Sequence, residues 1–341
     1  MSFSKEKRSA IKHYMLEKIS EGSSDIINKT VATFTITPNT AYRYMRELNN
    51  SGVIFKRNKR YHLSVYTKVF KIKLAGVLPE DDDVFFSNHI FPMISSLPDN
   101  IIHMWSYCFT EMMNNVIDHS CASDATVILL QDAINTTILI ADNGVGIFRK
   151  IKEFYNYPSL DDAILELFKG KLTTDSKNHS GEGIFFSSRI MDSFIAISDG
   201  KFFSHTEYDE LIDDLESDNI SIFPYESGTT IIMRLSNTSN KTNKEIMDTY
   251  SDTDGGFIRT RIPIKNIYPT YPVSRSQAKR LSHRFESFKE VELDFKGVSE
   301  IGQGFAHELF VVYAKKHPEI ALIPFNANLD VQKMIHHVVT S

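Results

Sequence analysis

The chain has 341 residues, a hydrophobic fraction of 42% and an aromatic fraction of 11%, which is typical of an ordered protein with two or three domains and excludes a disordered chain. No apolar run approaches the roughly 18 residues that a membrane-spanning helix needs, and no apolar segment follows the charged start MSFSKEKRSA. We therefore expect neither a membrane span nor a secretory signal. With two cysteines, Cys108 and Cys121, and no His/Cys cluster at zinc spacing, we expect a cytoplasmic protein with reduced thiols.

The net charge of −5 is distributed unevenly along the chain. Residues 1–74 contain 15 Lys and Arg against 5 Asp and Glu, residues 75–250 contain 11 against 28, and residues 251–341 contain 12 against 10. A basic segment next to an acidic one indicates a polyanionic partner for the first and favours three separately folded units. The predicted domains are 1–74 (the head), 75–240 (the body) and 250–341 (the tail).

The head has the pattern of a small helical domain. Apolar residues at helical spacing predict helices over 6–20, 23–34 and 37–52, the last with Pro38 at its first position. The stretch VIFKRNKRYHL, 53–63, predicts two short strands around a basic turn. Three helices followed by a basic hairpin resemble a winged helix-turn-helix.

The resemblance implies a DNA-binding surface. In that family the third helix enters the major groove and the hairpin contacts backbone phosphates, which implies that residues 38–50 read bases and residues 56–60 hold the backbone. An alternative stays open, in which the head is a helical protein-interaction module whose charge only keeps it solvated. The residues implied to bind DNA are Arg43, Arg46, Lys56, Arg57, Lys59 and Arg60.

The body contains a helical pattern with polar residues on one stripe. The segment FTEMMNNVIDHS, 109–120, has apolar helical spacing, and Glu111, Asn115 and Asp118 follow one another at offsets of four and three. Taken alone, this stripe is explained by the solvated face of an amphipathic helix. The segments that follow favour a functional interpretation instead.

Two apolar, β-branched runs come next. TVILL and TTILIA predict neighbouring strands, and the second runs directly into DNGVGI. Asp142 lies where this strand ends, and Gly144 and Gly146 allow the backbone to approach a ligand closely.

A second glycine pair, Gly181 and Gly183, opens a predicted helix, and backbone N–H groups at a helix N-terminus suit a phosphate. SGTTIIMRL, 227–235, then predicts a turn and a strong strand. The order E-x-x-x-N on a helix, strand-D-x-G-x-G, G-x-G with a helix, and G-T-strand resembles the GHKL ATPase superfamily of gyrase, MutL and the histidine kinases, over about residues 85–240. The form E-x-x-x-N-x-x-x-H is most similar to the anti-sigma serine kinase branch.

The resemblance implies an α/β sandwich that binds ATP and Mg²⁺. Asn115 would give its side-chain carbonyl to Mg²⁺, and Glu111 would be the catalytic base for an attacking water or hydroxyl. Asp142 would accept a hydrogen bond from the exocyclic amine of adenine, and Thr229 would support it through its hydroxyl or a water. The glycines implied to approach or cradle the nucleotide are Gly144, Gly146, Gly181 and Gly183.

Residues 149–180 are predicted to form a lid loop over the nucleotide. Asp118 and His119 are consistent either with a supporting role beside the site or with plain helix surface. For the lid, phosphate contact and an ordinary solvated charged loop both stay open. The candidate phosphate contacts are Lys171, Thr173 and Lys177.

In the tail, helix and strand patterns alternate over 274–341, which indicates parallel strands joined by crossovers. With LDFKGVSEIGQGFAHELF, the pattern resembles the STAS-like domain found after GHKL ATPases in bacteria. IGQG, 301–304, stands where STAS antagonists carry the acceptor serine, and Ser299 is out of register, so we expect docking or plain packing rather than phospho-acceptance. The residues concerned are Gln303, Gly304 and His307.

The predicted architecture is α/β multidomain, with a winged helix, a GHKL α/β sandwich and a small STAS-like α/β domain. Three functions stay open: an ATP- and Mg²⁺-binding regulator with slow hydrolysis that couples nucleotide state to DNA or to a regulatory protein, a protein kinase acting on a serine or histidine of a partner or of its own tail, and a non-catalytic DNA-bound ATP sensor. Residues 75–100 look too irregular for a phosphoacceptor-histidine hairpin, which disfavours a sensor histidine kinase. A homodimer is consistent with GHKL relatives.

Overall fold

The computed structural model describes residues 3–74, 81–172, 181–217, 219–268 and 270–341. Within these ranges the chain is mixed α/β, and its strands form sheets of two, six and three strands. The α/β prediction is confirmed at this level.

The head contains three helices and a hairpin, as predicted. Pro38 occupies the first position of the third helix, and the hydroxyl of Thr37 caps that helix by accepting a hydrogen bond from the N–H of Thr40. The hairpin turn is made by Asn58 and Lys59, both with positive φ, as tight two-residue turns require. The elements are α1 (Lys5–Ser20), α2 (Ile26–Phe34), α3 (Pro38–Asn50), β1 (Ile54–Arg57) and β2 (Arg60–Leu63).

The centre of the molecule is an antiparallel six-stranded sheet. Its strand order is β3-β4-β5-β8-β6-β7, and all neighbouring strands are antiparallel. The strands are β3 (Tyr66–Lys73), β4 (Asp124–Gln131), β5 (Asn135–Asp142), β6 (Ser193–Ser198), β7 (Lys201–Ser204) and β8 (Thr229–Ser236).

The first strand of this sheet comes from the range that the sequence analysis assigned to the head. β3 pairs with β4 over its full length, from Tyr66 opposite Gln131 to Lys73 opposite Asp124. Two residues, 64 and 65, separate it from the head hairpin. The sheet pairing therefore places β3 with the body, and the link between head and body is short.

Helices cover both faces of the six-stranded sheet. On β4, Val127 and Leu129 face one apolar cluster, whereas Ile128 and Leu130 face another together with Leu211. This alternation is the period-two pattern of a sheet buried on both sides. The helices are α4 (Asp82–Phe85), α5 (Phe91–Ile94), α6 (Asp99–Asn114), α7 (Ile147–Tyr155), α8 (Leu160–Lys169), α9 (Gly183–Ile190), α10 (Asp209–Ser217) and α11 (Asn243–Tyr250), with π-helical turns at Phe86–Ile90 and Asn115–His119.

Two expectations for the body need correction. Residues 82–94 are helical rather than irregular. The predicted lid loop is helical over most of its described part, because α7 carries buried Phe148 and Ile151 on one face and α8 begins at a Ser159 cap.

The tail contains a three-stranded parallel sheet of order β11-β10-β9 with helices between its strands, as predicted. Its first strand was not predicted, since RTRIP is charged and ends in proline. The elements are β9 (Arg259–Pro263), α12 (Ile264–Ile267), α13 (Arg275–Leu281), β10 (Glu290–Asp294), α14 (Gln303–His307), α15 (Ala314–Lys316), β11 (Ala321–Phe325) and α16 (Leu329–Thr340), with a 3₁₀ turn at Phe285–Ser287 and a π-helical turn at Glu308–Tyr313.

Body and tail share one apolar core, whereas the head has its own. Phe257 is central to the shared core: its ring centroid lies 4.5 Å from that of Phe185 in the body and 5.4 Å from that of Phe288 in the tail. The apolar core is therefore continuous across the predicted boundary between body and tail.

Candidate functional site

Residues from the separated glycine and polar motifs line one cavity in the body. The cavity has a volume of about 260 Å³ and lies between α6, α7 and α9, against strands β5 and β8. Long stretches of chain separate the motifs, so the fold brings them together. The predicted residues in its lining are Glu111, Asn115, Asp142, Gly146, Gly181, Gly183 and Thr229.

The polar stripe of α6 enters the cavity through a change of helix type. The helix continues beyond Asn114 as the π-helical turn Asn115–His119, in which hydrogen bonds span five residues instead of four. Asn115 and His119 therefore both line the cavity, whereas Asp118 is exposed and does not. The stripe predicted from α-helical offsets holds for Glu111 and Asn115 and ends before Asp118.

Asn115 and Glu111 present oxygen atoms to the cavity region. The amide nitrogen of Asn115 lies 4.0 Å from the sulfur of Met112, and its carbonyl oxygen has no hydrogen-bond partner within the described part of the chain. The Glu111 carboxylate lies against the first residue of α9, where a Cβ added to Gly183 would be 2.0 Å from Oε2. Position 183 therefore needs glycine if Glu111 is to keep its place.

Asp142 is a buried carboxylate at the end of β5. Asp142 is 4% exposed, and its Oδ1 accepts a 2.8 Å hydrogen bond from the N–H of Gly144. Burial raises the pKa of Asp142, while the N–H groups of Gly144 and Thr229 act in the opposite direction. Its partners are backbone groups rather than a basic side chain.

Glycines are required around Asp142 because backbone segments meet there. A Cβ on Gly144 would lie 2.1 Å from the carbonyl oxygen of Ser120, and one on Gly228 would lie 2.0 Å from that of Asp142. Gly144 does not line the cavity itself; it lets the chain pass the end of the π turn. Gly146, with φ of 83°, precedes the first residue of α7.

Thr229 and Lys150 lie on either side of the first turn of α7. The hydroxyl oxygen of Thr229 accepts a 3.0 Å hydrogen bond from the N–H of Ile147, which leaves its O–H free to donate. Lys150 lines the cavity and donates to the carbonyl of His119 at 2.6 Å. Sequence reasoning missed Lys150, although its position one turn after Gly146 was a usable signal.

Lys171, a predicted phosphate contact, does not line the cavity. Its ammonium group donates to the carbonyl of Ser287 at 2.9 Å and lies 5.1 Å from the ring centroid of Phe288, both in the tail. Thr173 and Lys177 lie outside the described residues.

The predicted DNA-binding residues form an exposed basic surface on the head. Arg43 and Arg46 lie on the exposed face of α3, where Arg43 is 3.7 Å from the carboxylate of Glu47. The four basic hairpin residues at 56, 57, 59 and 60 are all exposed at or beside the turn.

The glycine loop of the tail packs within the tail itself. A Cβ on Gly302 would lie 2.6 Å from the Cα of Val273, and the N–H of Phe305 donates to the carbonyl of Val273. A Cβ on Gly304 would lie 3.3 Å from the carbonyl oxygen of Val273, which favours packing for this glycine, whereas Gln303 is exposed. Hydrogen bonds between tail and body are made by other residues, among them Thr260, Arg261 and residues 283–287.

Residues 277–332 match the family model described as "STAS-like domain of unknown function (DUF4325)". The match covers α13 to the first turns of α16, so this part of the tail is STAS-like. No curated protein matches the chain.

None of the helices in the described residues has the length and apolarity needed to traverse a bilayer. No cluster of three or more His, Cys, Asp or Glu side chains among them is arranged to bind a metal ion.

Proposed function

We propose that the protein is a regulator that binds ATP and Mg²⁺ in a body of the GHKL type, between a winged-helix head and a STAS-like tail. One observation carries the proposal: residues of the four ordered motifs line a single cavity of about 260 Å³. The antiparallel sheet with helices on both faces is consistent with the α/β sandwich of that superfamily.

The residues fit a metal-bound nucleotide. The unused carbonyl oxygen of Asn115 suits Mg²⁺, which accepts few protein oxygens and completes its shell with phosphates and water. A Cβ at position 183 would meet the Glu111 carboxylate in its present place, and α9 begins at this glycine, so backbone N–H groups at the start of the helix can reach phosphates with the helix dipole in support. Bound Mg²⁺ would neutralise charge developing on the phosphates.

Specific roles follow for the remaining residues. The carboxylate of Asp142 accepts a hydrogen bond from the exocyclic amine of adenine, and the O–H of Thr229 can donate one on the same side of the cavity. Glu111 orients or deprotonates the attacking water or hydroxyl. Lys150 adds a positive charge to the cavity wall.

The chemistry that Glu111 promotes is either hydrolysis or transfer to a protein side chain. Incubation with γ-labelled ATP separates these outcomes, because a kinase leaves label on protein and a hydrolase releases it as free phosphate. We propose slow hydrolysis, since the acceptor serine of STAS antagonists is replaced by IGQG in this tail.

The head is proposed to bind DNA. Exposed Arg43 and Arg46 on α3 and the basic hairpin tip give it the charge and the geometry that a major groove and its flanking phosphates would accept. Nucleotide state would then be read out as DNA or partner binding.

Calorimetric titration of the full chain with Mg²⁺ and ATP tests the nucleotide site. We expect the wild type to bind and Asp142→Asn to bind at least about tenfold more weakly, because a hydrogen bond to a charged group contributes about 1.5–3 kcal/mol. Asp213→Asn, a change at an exposed carboxylate on α10, is the matched control and should bind like the wild type. Equal affinities for the wild type and Asp142→Asn, or no binding by either, would contradict the proposal.

A further inference from the structure

One wall of the cavity is held in place by the tail. We call residues 168–172 the strap: they run from the last turn of α8 to the cavity, where Gly170 and Leu172 form part of the lining. The strap itself therefore faces the proposed nucleotide on one side and the tail on the other.

Two carbonyl groups of the strap accept hydrogen bonds from side chains of the tail. The hydroxyl of Thr260, on β9, donates to the carbonyl of Lys169 at 2.7 Å, and Thr260 is fully buried. The guanidinium of Arg284 donates to the carbonyl of Lys171 at 2.5 Å and to the carboxylate of Glu166 at 3.1 Å. A helix end leaves its last carbonyls without partners inside the helix, so these bonds from the tail complete the end of α8.

Bonds also run from the strap to the tail. The ammonium of Lys169 donates to the carbonyl of His283 at 2.6 Å and to Glu166 at 2.6 Å, and burial lowers the pKa of Lys169 to about 8. Lys171 donates to the carbonyl of Ser287 at 2.9 Å. The strap and the tail therefore hold each other through donors on both sides.

The strap in turn positions the glycine cradle. The N–H of Leu172 donates to the carbonyl of Gly181 at 3.1 Å, and a Cβ on Gly181 would lie 2.6 Å from the carbonyl carbon of Leu172. Movement of the strap would displace Gly181 and with it the start of α9, where the phosphates are proposed to bind.

Arg189, in the last turn of α9, also connects this helix to the tail. Its guanidinium is buried, lies 3.4 Å from the ring centroid of Phe185, and donates to the carbonyl of Arg261 on β9 at 2.9 Å. Helix α9 is thus fixed to the tail near its C-terminal end, through Arg189, and to the strap just before its N-terminal end, through Gly181.

We propose that Thr260 and Arg284 of the STAS-like tail are positioning residues for nucleotide binding, acting through the strap, so that docking of the tail and binding of ATP strengthen each other. The proposal rests on the proposed function of the body. Neither residue lines the cavity, so neither needs to touch the nucleotide. Reciprocity follows from linkage: if the docked tail tightens nucleotide binding, bound nucleotide tightens tail docking by the same factor.

The first test compares two substitutions at one buried position. Thr260→Val keeps the shape of the side chain and removes the hydroxyl, leaving the carbonyl of Lys169 without its donor, whereas Thr260→Ser keeps a hydroxyl. In calorimetric titrations of the full chain with Mg²⁺ and ATP, we expect Thr260→Val to bind at least about fivefold more weakly than the wild type, and Thr260→Ser to retain most of the affinity. Equal affinities for Thr260→Val and the wild type would overturn the role of Thr260.

The second test uses the forked contact of Arg284. Arg284→Gln removes the bridge between Glu166 and the carbonyl of Lys171, and Arg280→Gln, at an exposed arginine one turn earlier, is the matched control. We expect at least about fivefold weaker binding for Arg284→Gln and wild-type binding for Arg280→Gln. This pair keeps the proposal testable if Thr260→Val does not fold.

A merely structural role is excluded by hydrogen exchange. In the wild type, ATP and Mg²⁺ should slow amide exchange in β9 and α13, which contribute no residue to the cavity lining; in Thr260→Val and Arg284→Gln this protection should be lost even at saturating nucleotide. Weaker binding with undiminished protection of the tail would overturn the coupling. Failure of the wild type to bind nucleotide would instead overturn the proposed function, and this inference with it.

Discussion

At the scale of single residues, the proposed nucleotide site depends most on Asp142 and Glu111. Asp142 is buried at the end of a strand with backbone N–H groups as its partners, an arrangement that costs folding free energy once the carboxyl ionises. The carboxylate of Glu111 lies against Gly183, where an added Cβ would be 2.0 Å from Oε2. Both observations are typical of residues retained for a ligand rather than for stability.

Glu111→Gln should separate binding from turnover. The amide keeps the size of the side chain beside Gly183 and cannot take up a proton, so we expect ATP affinity within about threefold of the wild type and a loss of turnover of about 10²-fold or more. Calorimetry and a phosphate-release assay on one sample measure the two quantities. Normal turnover by this variant would refute the catalytic role of Glu111.

The raised pKa of Asp142 predicts a pH dependence of stability. In the window between the ordinary value of 3.8 and the raised pKa, the folded state retains a proton that the unfolded state has released, so the stability of the wild type falls as pH rises through this window. Asp142→Asn lacks that slope. In denaturant unfolding without nucleotide, the stability of the variant minus that of the wild type should therefore increase from about pH 4 up to the raised pKa of Asp142 and stay constant above it, and a difference independent of pH would contradict the burial argument.

At the scale of elements, the motifs were predictable because each depends on residue types at fixed local offsets. Gly144, Gly146 and Gly183 are needed for backbone conformation or close approach, which makes them visible in the sequence. The π turn after α6 was not predictable, because apolar spacing over five residues does not distinguish it from an α-helical turn. That turn decides that His119, rather than Asp118, lines the cavity.

Contacts between elements that lie far apart in the chain could not be predicted from the sequence either. The sequence analysis missed β9 because its hydrogen-bonding partner β10 comes later in the chain. In addition, two of its five residues are arginines, so it lacks an apolar run. Lys171 was a candidate phosphate contact, with a solvated loop as the alternative, but its partner Ser287 lies in the tail. Such assignments depend on tertiary neighbours, which local patterns do not reveal.

The hairpin of the head predicts a measurable phosphate contact. The double variant Lys59→Gln/Arg60→Gln removes two exposed charges at the turn, so the slope of log affinity against log salt for a short random-sequence DNA duplex should become shallower by about 2. Lys315→Gln/Lys316→Gln, at exposed lysines of the tail, is the matched control and should leave the slope unchanged. Equal slopes for both double variants would favour the protein-interaction alternative for the head.

At the scale of the whole molecule, the three units are mechanically connected. The head hairpin passes into β3 of the body sheet after two residues, and Ile134 of the β4–β5 turn packs against the core of the head. On the other side, body and tail share one apolar core. A change at the cavity can therefore reach both ends of the chain without a flexible linker between them.

In the proposed site, Glu111 of α6 and Asn115 of the π turn hold a metal-bound triphosphate against the glycines at the start of α9. The most direct measurement is a crystal structure of the full chain with Mg²⁺ and a non-hydrolysable ATP analogue. We predict adenine within hydrogen-bonding distance of Asp142, the metal on the carbonyl oxygen of Asn115, and phosphates at the N–H groups of Gly181 and Gly183. An analogue bound elsewhere, or a cavity without nucleotide at saturating concentration, would contradict the account.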